Sequence, residues 1–150
     1  MGVIQLRTAL NRHRRIALDT NIFIYHLEAN PKYLALTDYI FSWLESRGSA
    51  AVTSTITMTE VLVKPYREQD IASADKCHAL LSTYPNLDWI SPGLALAALA
   101  AELRAVHHLR TPDALQAATA LQAGATAIVT NDPLFKRLAD LDVLVLDDYL

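Results

Sequence analysis

Apolar residues fall along this chain in two alternating patterns: short unbroken runs, and longer stretches with helical spacing. The short runs are Ile16-Ala17-Leu18, Ala51-Val52-Thr53, Leu87 to Ile90, Ala127-Ile128-Val129 and Val143 to Leu146. Each reads as a short strand, Ala127 to Val129 as one buried on both faces. Between them lie helix-like stretches. Val3 to Arg14 presents Ile4, Leu6 and Leu10 to one side. Tyr33 to Arg47 does the same with Leu36, Ile40, Phe41 and Leu44, and Gly48 stops it. Ile71 to Tyr84 turns Ala74, Cys77, Leu80 and Leu81 inward, and Ser91-Pro92 opens an alanine-rich helix to about His108.

Cap chemistry marks the remaining helix starts. Asp19-Thr20-Asn21 precedes Ile22-Phe23-Ile24-Tyr25, which we read as helical on those caps, although a strand running through fits the same apolar positions. Thr57 and Glu60 have capping-box spacing, Val61 to Val63 continue that helix, and Pro65 ends or kinks it. Thr111 caps a helix with Pro112 and Asp113 in its first turn. Ala114 to Ala123 form its body and Gly124 its stop. Asn131-Asp132-Pro133 then opens a short helix over Leu134 to Leu138. Strands and helices alternate and no tight turn joins two strands. This implies a parallel sheet with helices on both faces, whose strand ends form the ligand-binding edge.

Composition narrows the class. A chain of 150 residues with 52% hydrophobic content and a mean hydropathy of +0.18 is read as one domain, 1–150, with a full core. A net charge of −3 and a pI near 5.9 leave polyanion binding to a local patch. Cys77 is the only cysteine, which excludes an internal disulfide and suits a reducing cytosol. No secretory leader is expected, because the basic N-terminal stretch has no apolar region after it, and no stretch is long enough for a membrane span. The basic run Arg12-His13-Arg14-Arg15 fits a solvated face and a phosphate contact equally.

Four acids share one kind of place: Asp19, Glu60, Asp113 and Asp132 each follow a strand or open a helix. Singly, each is an ordinary cap or first-turn acid. Together they would repel one another at one sheet edge unless a cation intervened. Mg²⁺ (or Mn²⁺) suits such hard oxygen donors, and a metal so held activates water for phosphodiester cleavage. Competing chemistries lack their parts. There is no phosphate-binding Gly-Lys loop, no dinucleotide fingerprint among four glycines, and no nucleophile elbow. His107 and His108 are adjacent and read as surface residues, and Ser54 and Thr55 read as strand-end residues rather than nucleophiles. A haloacid-dehalogenase phosphatase wants an aspartate where Asn21 stands.

The segments IALDTNIFIYHLE, TSTITMTEVLVKP, LRTPDALQAATALQAGATAIVTND and VLVLDD together resemble the PIN domain, in particular VapC-type toxins of toxin–antitoxin pairs. The resemblance runs from Ile16 nearly to the end and implies nothing for residues 1–14. It implies an α/β/α sandwich around a parallel sheet of four to five strands, and Mg²⁺- or Mn²⁺-dependent cleavage of RNA in the cytoplasm. Asp19, Glu60, Asp113 and Asp132 match the family's acids, as catalytic residues and metal ligands. Asn21 and Thr130 match polar positions that hold water or phosphate. The resemblance further implies a homodimer and a VapB-like antitoxin that blocks the acidic site. Phe23, Tyr25, Tyr39, Phe41 and Trp43 are candidates for its groove, with core the leading reading for most of them. Lys64, Arg67, Arg110, Lys136 and Arg137 are candidates for contacting RNA. An alternative is a non-catalytic module that works through antitoxin binding and operator autoregulation. A flap-type DNA nuclease would need more helical elements than this length holds.

Overall fold

The computed structural model describes residues 2–46 and 48–150. Five strands form one parallel sheet: β1 (Arg15–Leu18), β2 (Ala50–Ser54), β3 (Leu87–Ile90), β4 (Ala127–Thr130) and β5 (Asp142–Val145), in the order β3-β2-β1-β4-β5. Among the described residues, seven helices accompany them: α1 (Gly2–Leu10), α2 (Thr20–Leu27), α3 (Leu34–Leu44), α4 (Thr55–Arg67), α5 (Ile71–Ser82), α6 (Leu94–His107) and α7 (Thr111–Gln122). Two 3₁₀ turns, Pro133–Arg137 and Leu146–Tyr149, follow β4 and β5.

The apolar runs bury both faces of the sheet, and alternate residues serve opposite layers. Ile16, Leu18, Ala51, Ala127 and Val129 pack with Leu6, Leu10, Ile22, Phe23, Ile40, Phe41 and Leu44. Ala17, Val52 and Ile128 pack on the other face with Leu96, Ala100, Leu103 and the alanines of α7. The result is the expected three-layer α/β/α arrangement. Residues 22–25 are helical, because Asp19 turns the chain out of β1 and caps α2.

Several sequence-based boundaries shift. The first helix stops at Leu10, and Ile4 faces solvent at 67% exposure while Ala9 takes an inner place. The expected helix end at Arg47 lies outside the described residues, and α3 closes at Leu44. Ser54, not Thr57, caps α4: its Oγ accepts the Ile56 N–H at 3.2 Å, so strand passes directly into helix. Pro65 stays inside α4, which runs on to Arg67; in the last turn the lost bond to the Val61 carbonyl is cheap enough to absorb. Arg110 occupies the N-cap position of α7, and Thr111, its first helical residue, accepts a bond from Arg104 Nη1 at 2.9 Å. Leu80 is 54% exposed rather than inward.

Candidate functional site

β1 is the middle strand. The chain leaves it toward β2 and β3, then crosses back to β4 and β5. Where the winding reverses, the strand ends open a crevice. Asp19 follows β1, Thr130 ends β4, and Asp132 lies two residues further on. Glu60 comes from α4, which starts directly after β2, and Asp113 from the first turn of α7. The sequence pattern thus carries all four acids to this edge.

Asp19 is only 7% exposed. Its Oδ1 accepts the Thr20 N–H at 2.9 Å and its Oδ2 accepts the Thr130 hydroxyl at 2.7 Å. Burial pushes its carboxyl up to about 6; those two bonds oppose the shift, and the charges of Asp113 and Glu60 add to it. Asp113, also 7% exposed, is raised first by burial and further by Asp132. Arg110 Nε, at 3.2 Å from Asp113 Oδ2, works against that rise. The Arg110 guanidinium in turn feels Asp113 most, then Asp132 and Glu60. Thr130 joins two of the acids, because it also accepts the Asp132 N–H at 3.0 Å. Asp132 itself caps the turn after β4 through the Leu134 N–H. Glu60 Oε1 accepts the Thr20 hydroxyl at 2.9 Å.

The donor set fits a hard divalent cation in kind and charge. Acids that raise one another's proton affinity are neutralised by a metal, and the buried Asn21 Oδ1 has no hydrogen-bond partner. In this conformation, among the described residues, no three Asp, Glu, His or Cys side chains stand close enough to grip one ion. Asp113 is held by Arg110 and Glu60 by Thr20 instead.

The other candidates separate. Of the five basic residues, Arg110 alone is bonded to one of the four acids. Lys64 pairs with Glu28 at 3.2 Å, Lys136 pairs with Asp148 at 2.8 Å, and Arg137 Nη1 donates to the His107 carbonyl. Arg67 is exposed at the end of α4. The basic run beside β1 is drawn to the opposite end of the sheet. His13 bridges Thr126 at 2.7 Å and Asp142 at 2.8 Å, and Arg15 pairs with Asp88. Phe23, Phe41 and Trp43 are core, while Tyr25 and Tyr39 are half-buried. An open groove of about 580 Å³ adjoins the acids at Glu60, lined by Ile24, Leu27, Val61, Pro65, Cys77 and Leu80, with Glu60 and Lys64 among its polar residues.

Sequence reasoning missed the polar layer beneath the acids. Thr53, Thr57, Thr20 and Gln116 are all buried and hydrogen-bonded to one another. The available signal was spacing: Gln116 lies three residues after Asp113 and Thr57 three before Glu60, so each pair shares a helix face.

A family model described as the PIN domain matches residues 16–141. No curated protein sequence matches the chain. Among solved structures, VapBC-1 from nontypeable Haemophilus influenzae aligns with a TM-score of 0.67 at 23% identity, covering 89% of this chain and 98% of that one. VapBC2 from Rickettsia felis, bound to a DNA fragment from its promoter, aligns at 0.65 and 19%, covering 86% and 96%. Mycobacterium tuberculosis VapC20, a sarcin-ricin loop cleaving toxin, aligns at 0.61 and 16%, covering 75% and 86%. At these identities the likeness is one of fold.

Proposed function

The chain belongs to the PIN domain family, and from that premise we propose that it is a Mg²⁺- or Mn²⁺-dependent endoribonuclease, the toxin of a VapBC-type pair. The observation that carries the reading is Asp19: a buried carboxylate at the sheet's reversal point, its proton affinity raised chiefly by burial and further by the charges of Asp113 and Glu60. A structural cap has no need of that burial. Among Asp19, Glu60, Asp113 and Asp132, the cation would supply Lewis-acid charge to the scissile phosphodiester and an activated water.

The protein's own groups have distinct tasks. Thr20 N–H and the Thr130 hydroxyl fix both oxygens of Asp19, so the carboxylate needs no rearrangement to act. Asn21 brings an unsatisfied oxygen acceptor next to it in sequence. Arg110, 77% exposed at its side chain, balances the acids and can turn its charge to an incoming phosphate. Lys64 and Arg67 extend positive charge along α4, and Lys136 and Arg137 do so after β4.

The apolar groove beside Glu60 suits a segment of a VapB-like antitoxin, and the H. influenzae and R. felis relatives are themselves VapBC assemblies. We take the toxin to be a cytoplasmic homodimer in that pair. No described helix is long and apolar enough to cross a membrane. A purely non-catalytic module would use the groove with the acids as caps and as an anchor for the antitoxin, and would need no metal.

The test is cleavage of a mixed RNA pool by the purified protein with Mg²⁺, Mn²⁺ or chelator, beside Asp19→Asn and Asp113→Asn. Metal-dependent cleavage lost at least a hundredfold in both variants is expected. Wild-type activity in either variant would overturn the site assignment. No cleavage and no metal binding by calorimetry would favour the non-catalytic module.

A further inference from the structure

Gln116 is 2% exposed, in a helix that otherwise meets the sheet with alanines. A buried amide is tolerated only when its groups are bonded. Those bonds have a direction. Gln116 Oε1 accepts the Ser54 N–H at 3.3 Å, which fixes the amide's orientation, since the reverse would set N–H against N–H. Its Nε2 therefore faces the hydroxyls, donating to Thr57 Oγ1 at 2.8 Å and more weakly to Thr20 Oγ1 at 3.4 Å.

Each threonine has one proton to give. Thr53 gives its own to the Leu18 carbonyl at 2.9 Å. In the 2.7 Å contact between Thr53 and Thr57, Thr57 is then the donor. The Thr20 proton is left with two acceptors, Thr57 Oγ1 at 3.2 Å and Glu60 Oε1 at 2.9 Å. The carboxylate is nearer and the stronger acceptor, and Gln116 already fills a lone pair of Thr57. Glu60 lies on the exposed side of α4, where a long acid would otherwise sample several rotamers.

We propose that Gln116 is a positioning residue: from the alanine layer of α7 its amide N–H groups occupy oxygen lone pairs of Thr57 and Thr20, which leaves the Thr20 proton to Glu60 and holds Glu60 at the acid cluster. The role in catalysis rests on the nuclease reading; the geometry does not. Residues that orient metal ligands from behind typically govern metal affinity by about tenfold or more.

Gln116→Met keeps the bulk and removes the donor. Crystal structures of wild type and variant without metal read the position of Glu60, and calorimetry with Mn²⁺ reads the consequence. We expect Glu60 to leave Thr20 in the variant, Mn²⁺ affinity to fall about tenfold, and kcat to fall while KM for RNA holds. Glu60 still bonded to Thr20, with Mn²⁺ affinity within about twofold of wild type, overturns the proposal. If Gln116→Met does not fold, Thr20→Ser and Thr20→Val replace it: only the serine keeps a hydroxyl, and equal Mn²⁺ affinities in the two overturn the proposal. Wild type that binds no Mn²⁺ overturns the metal-centre reading instead, and the two crystal structures still decide the role of Gln116.

Discussion

Asp19 shows what one residue costs and what it gains. Its carboxyl, raised from 3.8 to about 6 chiefly by burial, binds a proton more tightly in the folded chain than in the unfolded one. The metal-free fold is therefore favoured below pH 4 by this group and loses that advantage as pH rises to about 6, a penalty of about 3 kcal/mol by the size of the shift. Asp19→Asn removes the charge but also the Thr130 donation, worth about 1 kcal/mol. The balance predicts a variant about 1–2 kcal/mol more stable than wild type at pH 8 in chelator, and equal or weaker near pH 4. Urea titrations at the two pH values check this. If the acids hold a metal as proposed, saturating Mn²⁺ should reverse the order at pH 8, through the binding energy that wild type gains. The four acids were legible in sequence because helix starts after apolar runs are conspicuous. Gln116 was not: among alanines it looks like an ordinary helix former, and only the fold reveals that Ser54 and Thr57 meet it.

At the level of elements, the alternation of strands and helices was legible, and the ends were not. Thr57 had the spacing of a cap, yet the chain passes from β2 into α4 without a loop, so Ser54 caps and Thr57 turns inward. The two roles predict different costs. Loss of an exposed cap is worth about 1 kcal/mol, but Thr57→Val strands the Gln116 N–H in the core and should cost about 2–3 kcal/mol. Chemical denaturation measures the difference, with Thr57→Ser close to wild type as the control. Pro65 misled for a related reason: a proline near the end of a helix removes a single bond, and contacts of α4 with α2 and α5 hold the last turn. The first helix was recognised, but it stops at Leu10 rather than Arg14 and one face was misjudged, since Ile4 is exposed.

Over the whole molecule, charge and shape are segregated. The acids gather at one end of the sheet, while His13 and Arg15 tie the other end to Thr126, Asp142 and Asp88. That division was invisible in sequence, where the basic run lies within a few residues of Asp19. The groove between α2, α4 and α5 was equally hidden, because Leu80 had the spacing of a core residue. On the proposed function, Leu80→Glu should leave RNA cleavage unchanged, since the residue is already half in water, yet weaken antitoxin capture. Copurification with the antitoxin, beside cleavage by the free variant, tests both halves. The strand order carries a last consequence, for synthesis. Asp19 is held by Thr130, 111 positions later, and β1 has an open edge until β4 joins it. A ribosome must therefore reach Thr130 before Asp19 has both of its bonds, although Thr20 is beside it from the start. On the proposed function, a growing polypeptide would stay harmless to the message that encodes it until Thr130 has been made and β4 has joined β1.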